Sequence, residues 1–416
     1  MLNESLHRDT LVAPAASSAL GDAVAAAGAN DGTVGRRLLT AADTFFFWKG
    51  RAALYAVLKA LGVGPGDRVV VPGYTCFAVP SAILLAGAEP LYADIQPGTF
   101  NMALAGIENA VAQSDNPARV KAIILQHTYG MPADVNRIVP WARRHELATI
   151  EDCAHVWGSR YQDERGAWRA VGTAGDASFF SSHWTKPVST GLGGWVTTAD
   201  RALSSRLRSF HDEECSAPSF RETALLAAQV AGRELLASPT FYWMARDVYR
   251  RLYGAGLLVG SSTQEELKGI KPKVKDYTKR MSGFQRWLLN RRRSDESVVT
   301  FRKRLKITYD GVLASAGFSP LVIPEGTDAV LLRYPVRVSD KGRVLKEAER
   351  CRIELGDWYR YPVDRPDGVD AGIFGYRDGM CPEGERAARE TVTLPMNDRV
   401  TERQVLKAVQ FLRDVR

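Results

Sequence analysis

From Gly50 onward the chain alternates short β-branched apolar runs with amphipathic stretches, and that alternation restricts it to few architectures. GRAALYAVLKALGVGPGD carries apolar Leu54, Val57, Leu58 and Leu61 at helical spacing and ends in a Gly-Pro-Gly turn. DRVVVPGYT then reads as a buried strand. The pattern recurs with predicted helices over 79–86, 104–113 and 135–145 and strands at EPLYADI, VKAIILQHTYG and LATIEDCAH. Buried strands alternating with helices of about 10 residues predict parallel βαβ units, hence an α/β fold. Ligands of such sheets sit at the carboxyl ends of the strands, which singles out Tyr74, Thr75, His127, Tyr129, Asp152 and His155.

At 416 residues the chain exceeds one ordinary core. We expect an N-terminal arm over residues 1–44 and a large domain over 45–295. The latter includes a helical, basic insertion at about 200–295, and a small C-terminal α+β domain follows over 296–416. The excess of 55 Lys and Arg over 47 Asp and Glu, a net +8, accommodates an anionic ligand without naming one. The basic residues are scattered and no recognition motif for nucleic acid is present. Five separated cysteines without a CxxC pair predict neither a disulfide framework nor a metal site. With no secretory signal or membrane span, the expected location is the cytoplasm. Tyr242–Arg251 is basic and aromatic, which a membrane surface or partner could use, but a solvated helix with one packed face explains it as well. RRRSDE after Asn290 is expected to be a solvated helix end, and Met281 a packing residue.

The chemistry centres on DASFFSSHWTKPVSTGLGGWVTT. Here Lys186 follows an apolar strand and precedes a Gly-rich turn, a position where a desolvated amine can form a Schiff base. Asp152 ends a strand in IEDCAH. A carboxylate there can pair with a protonated pyridine nitrogen, or simply cap a turn.

IILQHTYGMPADV, IEDCAHVWGSRY, GTAGDASFF, HWTK and the GLGG turn occur in one order with GDRVVVPGYTCFAVPSAILLAGAEPLYADI upstream and LPMNDRVTERQV near the end. Together they resemble the DegT/DnrJ/StrS family of pyridoxal 5'-phosphate (PLP) dependent sugar aminotransferases, densely over residues 45–200 and thinly beyond. The resemblance implies an aspartate-aminotransferase-like fold (PLP fold type I), with a mixed, mostly parallel sheet, working as a homodimer. It makes Lys186 the Schiff-base lysine, Asp152 the pyridinium partner and His155 the neighbour of the cofactor's phenolic oxygen. Ser181 and the helix start at Gly50, Arg51 and Ala52 become the phosphate site. Thr278, in DYTKRMS, stands where the family often has an Asn that reaches a neighbouring subunit's phosphate.

Three further departures bear on the substrate. The family's aromatic over the ring aligns with Cys76, with Phe77 beside it; an acidic residue of the Gly-rich turn is Leu192; and the residue after the lysine is Pro187. The implied reaction takes an amino group from a donor, L-glutamate, through pyridoxamine phosphate to a keto group. The acceptor is a nucleotide-linked deoxysugar of natural-product or surface-polysaccharide biosynthesis; a non-nucleotide keto or cyclitol acceptor is the alternative. A sugar dehydratase on the same scaffold would carry His in place of Lys186.

Overall fold

The computed structural model describes residues 43–235, 251, 260, 262, 273–292 and 297–415. The arm, apart from its last two residues, and the Tyr242–Arg251 segment, apart from Arg251, lie outside the described residues. The elements begin with β1 (Asp43–Phe47), α1 (Gly50–Ala60), β2 (Arg68–Pro72), β3 (Thr75–Cys76), α2 (Ala78–Ala86) and β4 (Glu89–Ala93). Then come α3 (Leu104–Ala112), β5 (Val120–Gln126), α4 (Val135–Arg144), β6 (Ala148–Asp152), β7 (Arg160–Gln162), β8 (Trp168–Ala170), β9 (Ala177–Ser181) and β10 (Gly194–Thr198). The helices α5 (Arg201–Ser209), α6 (Phe220–Leu235), α7 (Gly283–Arg292) and α8 (Ser297–Ser315) follow. The chain closes with β11 (Thr327–Asp328), β12 (Arg333–Arg337), α9 (Lys341–Arg350), β13 (Val363–Asp364), α10 (Pro382–Glu390), β14 (Thr391–Pro395) and α11 (Glu402–Asp414).

Seven strands form the main sheet in the order β1-β10-β9-β6-β5-β2-β4. The β4-β2-β5-β6-β9 portion is parallel, and β10 and β1 join it antiparallel, giving the mixed, mostly parallel α/β sheet expected. The valine run of β2 shows why both faces must be covered. Val69 and Val71 enter one core with α1 and α2, while Val70 enters the other with α3 and α4. The chain leaves β2 toward β4 on one side and leaves β5 toward β6 on the other, so a crevice opens where β2 and β5 end.

A third core lies over that crevice. It is built from α8, α9, α11, β12 and β14, and it takes in Tyr74, Phe100 and Tyr129 from the loops that finish the parallel strands. The antiparallel pair β12-β14 is its sheet, and β13 pairs with β3 beside the crevice. The C-terminal region therefore roofs the strand ends. Met281 is buried in the main core, as expected of a packing residue. Arg292 departs from the expected solvated end. It donates to the Ser189 carbonyl (2.5 Å) and pairs with Glu234 (2.7 Å), because α7 ends against the loop carrying Lys186. No helix among the described residues is long and apolar enough to cross a membrane.

Candidate active site

Between β9 and β10 the chain makes a closed loop. Ser182 N–H donates to the Gly193 carbonyl (2.9 Å), Thr190 N–H to the Ser182 carbonyl (2.8 Å) and Lys186 N–H to the His183 carbonyl (2.9 Å). Gly193 sits at φ +150°, where an added Cβ would lie 2.2 Å from the Ser182 hydroxyl, so the GLGG turn closes only around glycine. The loop presents the Lys186 amine 4.9 Å from the Trp358 ring centroid. Burial holds that amine below the ordinary lysine value, with Arg333 adding to the effect and Cys76 and Asp152 opposing it. A lysine so placed has more unprotonated amine at neutral pH than a surface lysine.

Asp152, at the end of β6, is buried; its Oδ1 accepts from the Ala154 N–H at 2.9 Å. Burial raises its carboxyl, while the Ala154 N–H, Lys186 and His127 act in the other direction. The preceding residue, Glu151, is braced from below. Its Oε1 accepts from Ala174 (2.7 Å) and Gly175 (2.8 Å), and its Oε2 from Gly172 (2.9 Å) and the His127 Nε2 (3.1 Å). Because the Ala133 N–H donates to His127 Nδ1 (2.9 Å), the His127 proton is on Nε2 and points at Glu151. His127, Glu151 and Cys153 are close enough to surround a metal ion, but the carboxylate is spent on four donors.

His155 is buried, and burial together with Lys186 and Arg333 holds it well below the ordinary imidazole value, so it is neutral at pH 7. The Tyr129 N–H donates to its Nδ1 at 3.2 Å, which places the proton on Nε2, 3.3 Å from the Tyr359 hydroxyl. His155 stacks on Trp358 with ring centroids 5.4 Å apart. Lys186, Asp152, His155 and Cys76 thus converge beneath Trp358 and Tyr359. The backbone of that aromatic pair is pinned by Tyr74, whose hydroxyl donates to the Trp358 carbonyl (3.1 Å), and by the Tyr129 hydroxyl. Lys341 reaches the Tyr359 carbonyl (2.9 Å) from behind.

The second group of expected residues meets at the start of α1. Lys49 leads into it with extended backbone, and no side chain caps it and no acidic residue lies in its first turn. An added Cβ on Gly50 would lie 2.8 Å from Ser181 Cβ, and one on Gly194 would lie 2.4 Å from Gly50 Cα. Two glycines therefore allow a helix N-terminus to rest on the ends of β9 and β10, beside the Ser181 hydroxyl. That is an anion cradle, and with Lys186 and Asp152 near it the donor set fits a pyridine-aldehyde phosphate. Ala52 enters differently from expectation, since its N–H turns back to the Lys49 carbonyl (3.1 Å).

Phe77 packs on Phe374 (5.8 Å) and under the Arg51 guanidinium (5.2 Å), whereas Cys76 is the residue electrostatically coupled to Lys186. Leu192 is buried with Trp48 and Leu226, a position closed to a carboxylate. Thr278 is half-buried and its hydroxyl donates to the Val274 carbonyl (3.3 Å). It stands apart from the Lys186 group in the described contacts. Sequence reasoning missed Trp358, Tyr359, Arg333 and Arg302; all come from the C-terminal region.

Lys186 and Pro187 open into a cavity of about 540 Å³ whose far wall is formed by α8, β12 and the loop after β14. Eight of its lining residues are Lys or Arg and three are Asp or Glu, so the space favours an anion. A family model described as the DegT/DnrJ/EryC1/StrS aminotransferase family matches residues 45–232. The chain is 29% identical over 372 residues to a pleiotropic regulatory protein of Geobacillus stearothermophilus, covering 88% of this chain and 83% of that one. It is 41% identical over 160 residues to the UDP-N-acetyl-3-dehydro-alpha-D-glucosamine 3-aminotransferase of Acidithiobacillus ferrooxidans, covering 38% of this chain and 41% of that one. Among solved structures, a DegT DnrJ EryC1 StrS aminotransferase from Brucella abortus superposes with a TM-score of 0.68 at 21% identity, over 96% of this chain and 94% of that one.

Proposed function

The chain belongs, through residues 45–232, to the DegT/DnrJ/EryC1/StrS aminotransferase family, and on that premise we propose a PLP-dependent aminotransferase acting on a keto sugar. The observation that carries this reading is the convergence of Lys186, Asp152 and His155 at the strand ends, next to an uncapped helix N-terminus and opposite a cationic cavity. PLP, when bound, supplies an electron sink for a carbanion at the amino-bearing carbon.

On this reading each residue takes a role that its surroundings support. The Lys186 amine, depressed in basicity, holds the cofactor and afterwards moves a proton at the substrate carbon. Asp152 would hold the pyridine nitrogen, whose positive charge would offset the cost of burying the carboxylate. His155 would offer its Nε2 proton to the phenolic oxygen while remaining neutral. Gly50, Arg51 and Ser181 would receive the phosphate, with Ala52 closing the first turn behind them. Cys76, rather than Phe77, would lie against the cofactor ring, since Phe77 is taken up by Phe374 and Arg51. In a homodimer, Thr278 would donate its hydroxyl to the phosphate of the neighbouring subunit in place of the Val274 carbonyl.

The donor we propose is L-glutamate, and the acceptor a keto group on a nucleotide-linked deoxysugar, in polysaccharide or natural-product biosynthesis and in the cytoplasm. The test is to mix PLP-loaded protein with L-glutamate and follow the visible spectrum while assaying 2-oxoglutarate in the same tube. Bleaching of the PLP band with one equivalent of 2-oxoglutarate is the expected result. A PLP band that glutamate leaves unchanged would exclude this donor, and protein that retains no PLP would remove the reading.

A further inference from the structure

The apolar face of α8 carries one residue that does not match its neighbours. Val299, Leu305, Tyr309 and Leu313 are buried at helical spacing, and Arg302 is buried among them, 7% exposed. A guanidinium taken out of water needs its N–H groups satisfied. Those of Arg302 are not: Nε and Nη1 are both inaccessible and have no hydrogen-bond partner among the described residues. Asp398 acts on it electrostatically but forms no ion pair with it among the described residues. Nor is it shielded from like charge. Arg333 acts on Arg302 as a second cation, and its own guanidinium lies 5.5 Å from the Trp358 ring that also receives Lys186.

Arg302 and Arg333 both line the cavity that opens from Lys186. A buried cation with unmet donors, set beside a second and less buried cation, destabilises a fold, and such a cost is retained where a ligand relieves it. Building on the aminotransferase reading, we infer that Arg302 with Arg333 forms a seat for a substrate oxyanion on the C-terminal wall of the cavity, separate from the cofactor-phosphate cradle at α1. The ligand chemistry is a carboxylate or phosphate oxygen accepting charge-assisted hydrogen bonds from the guanidinium groups. Two sources fit the proposed reaction: a carboxylate of the amino donor, or the phosphate of a nucleotide-linked acceptor.

Titration calorimetry of PLP-loaded wild type, Arg302→Met and Arg302→Lys with 2-oxoglutarate and, separately, UDP tests the seat. Each sample is also scored for thermal midpoint and for PLP fixed to the protein by borohydride. We expect at least one anion to bind the wild type and to bind Arg302→Met about 10–100-fold more weakly, the range for a lost hydrogen bond to a charged group. Arg302→Lys should retain part of the affinity. Weakening confined to 2-oxoglutarate assigns the seat to the donor carboxylate; weakening confined to UDP assigns it to the acceptor phosphate. Without ligand, Arg302→Met should melt no lower than wild type, because Met fills the volume and removes the buried charge. Binding undiminished in Arg302→Met, no binding of either anion to wild type, or a midpoint lowered by several degrees would each overturn the inference. If wild type fixes no PLP while anion binding still depends on Arg302, the cofactor reading fails and the seat stands.

Discussion

The two walls of the cavity are finished to different degrees. On the sheet side nearly every polar group has its partner: Glu151 accepts four donors, His127 and His155 each have a defined tautomer, and Asp152 accepts the Ala154 N–H. On the C-terminal side Arg302 is buried with two donors unmet among the described residues, and Arg333 lies over the Trp358 ring. A satisfied wall suits a group that stays through every turnover, because its geometry is set before the group arrives. An unsatisfied wall suits ligands that come and go, since it holds binding energy in reserve until one is present.

The largest effect that would break this contrast is at Lys186. Lys186→Ala should remove borohydride-fixed PLP and lower turnover by at least the roughly 10²–10⁴-fold typical of a proton-transfer group. The thermal midpoint should not fall, because a buried amine is lost along with its desolvation cost. Ordinary turnover in steady-state assays of the variant would show that the sheet-side wall is not where the chemistry occurs.

The next test compares a glycine on each wall. Gly50→Val places methyl groups where even a Cβ lies 2.8 Å from Ser181, and should cost about 1–3 kcal/mol of stability while weakening PLP retention. Gly311, inside α8 of the C-terminal wall, has nothing within 4 Å of an added Cβ. Gly311→Ala should stabilise by roughly 0.5–1 kcal/mol and leave PLP retention unchanged. Urea melts with a PLP readout separate the two, and equal tolerance at both positions would mean that the α1 start is not a tight cradle.

The same contrast governs what could be read in the sequence. Asp152 and His155 lie at or just after a strand end, so the βαβ pattern located them; Lys186 stood out by its place between an apolar strand and a Gly-rich turn, and Ser181 by the resemblance alone. Helices predicted over 104–113 and 135–145 form at Leu104–Ala112 and Val135–Arg144, because each is local and amphipathic. Trp358 and Tyr359 were illegible because they reach the site through β13 pairing with β3 and through the hydroxyls of Tyr74 and Tyr129, contacts that span more than 200 residues of chain. Arg302 left one usable signal, a cation at an apolar position of the α8 spacing. In a chain with 55 basic residues it looked like any solvated arginine.

The last effect expected is a pH dependence that belongs to the sheet-side wall alone. The folded protein holds His155 well below 6.5, the value the side chain regains on unfolding. Below about pH 6.5 the unfolded chain takes up a proton at this position and the folded one does not, so stability falls as pH falls, by up to about 1.4 kcal/mol per pH unit. His183, held to about 3, adds a second slope of the same sign. Arg302, although pushed down to about 10, stays protonated throughout this window, so the C-terminal wall adds no slope. His155→Gln keeps a side chain that can accept from the Tyr129 N–H and donate toward Tyr359, but it does not titrate. Urea denaturation from pH 7.5 to 5 should therefore show a shallower decline in His155→Gln than in wild type, with the two curves closest at the alkaline end. Parallel curves would mean that His155 is protonated in the folded state as readily as in the unfolded one. That would remove the neutral Nε2–H donor from the sheet-side wall and make it less complete than the contrast requires.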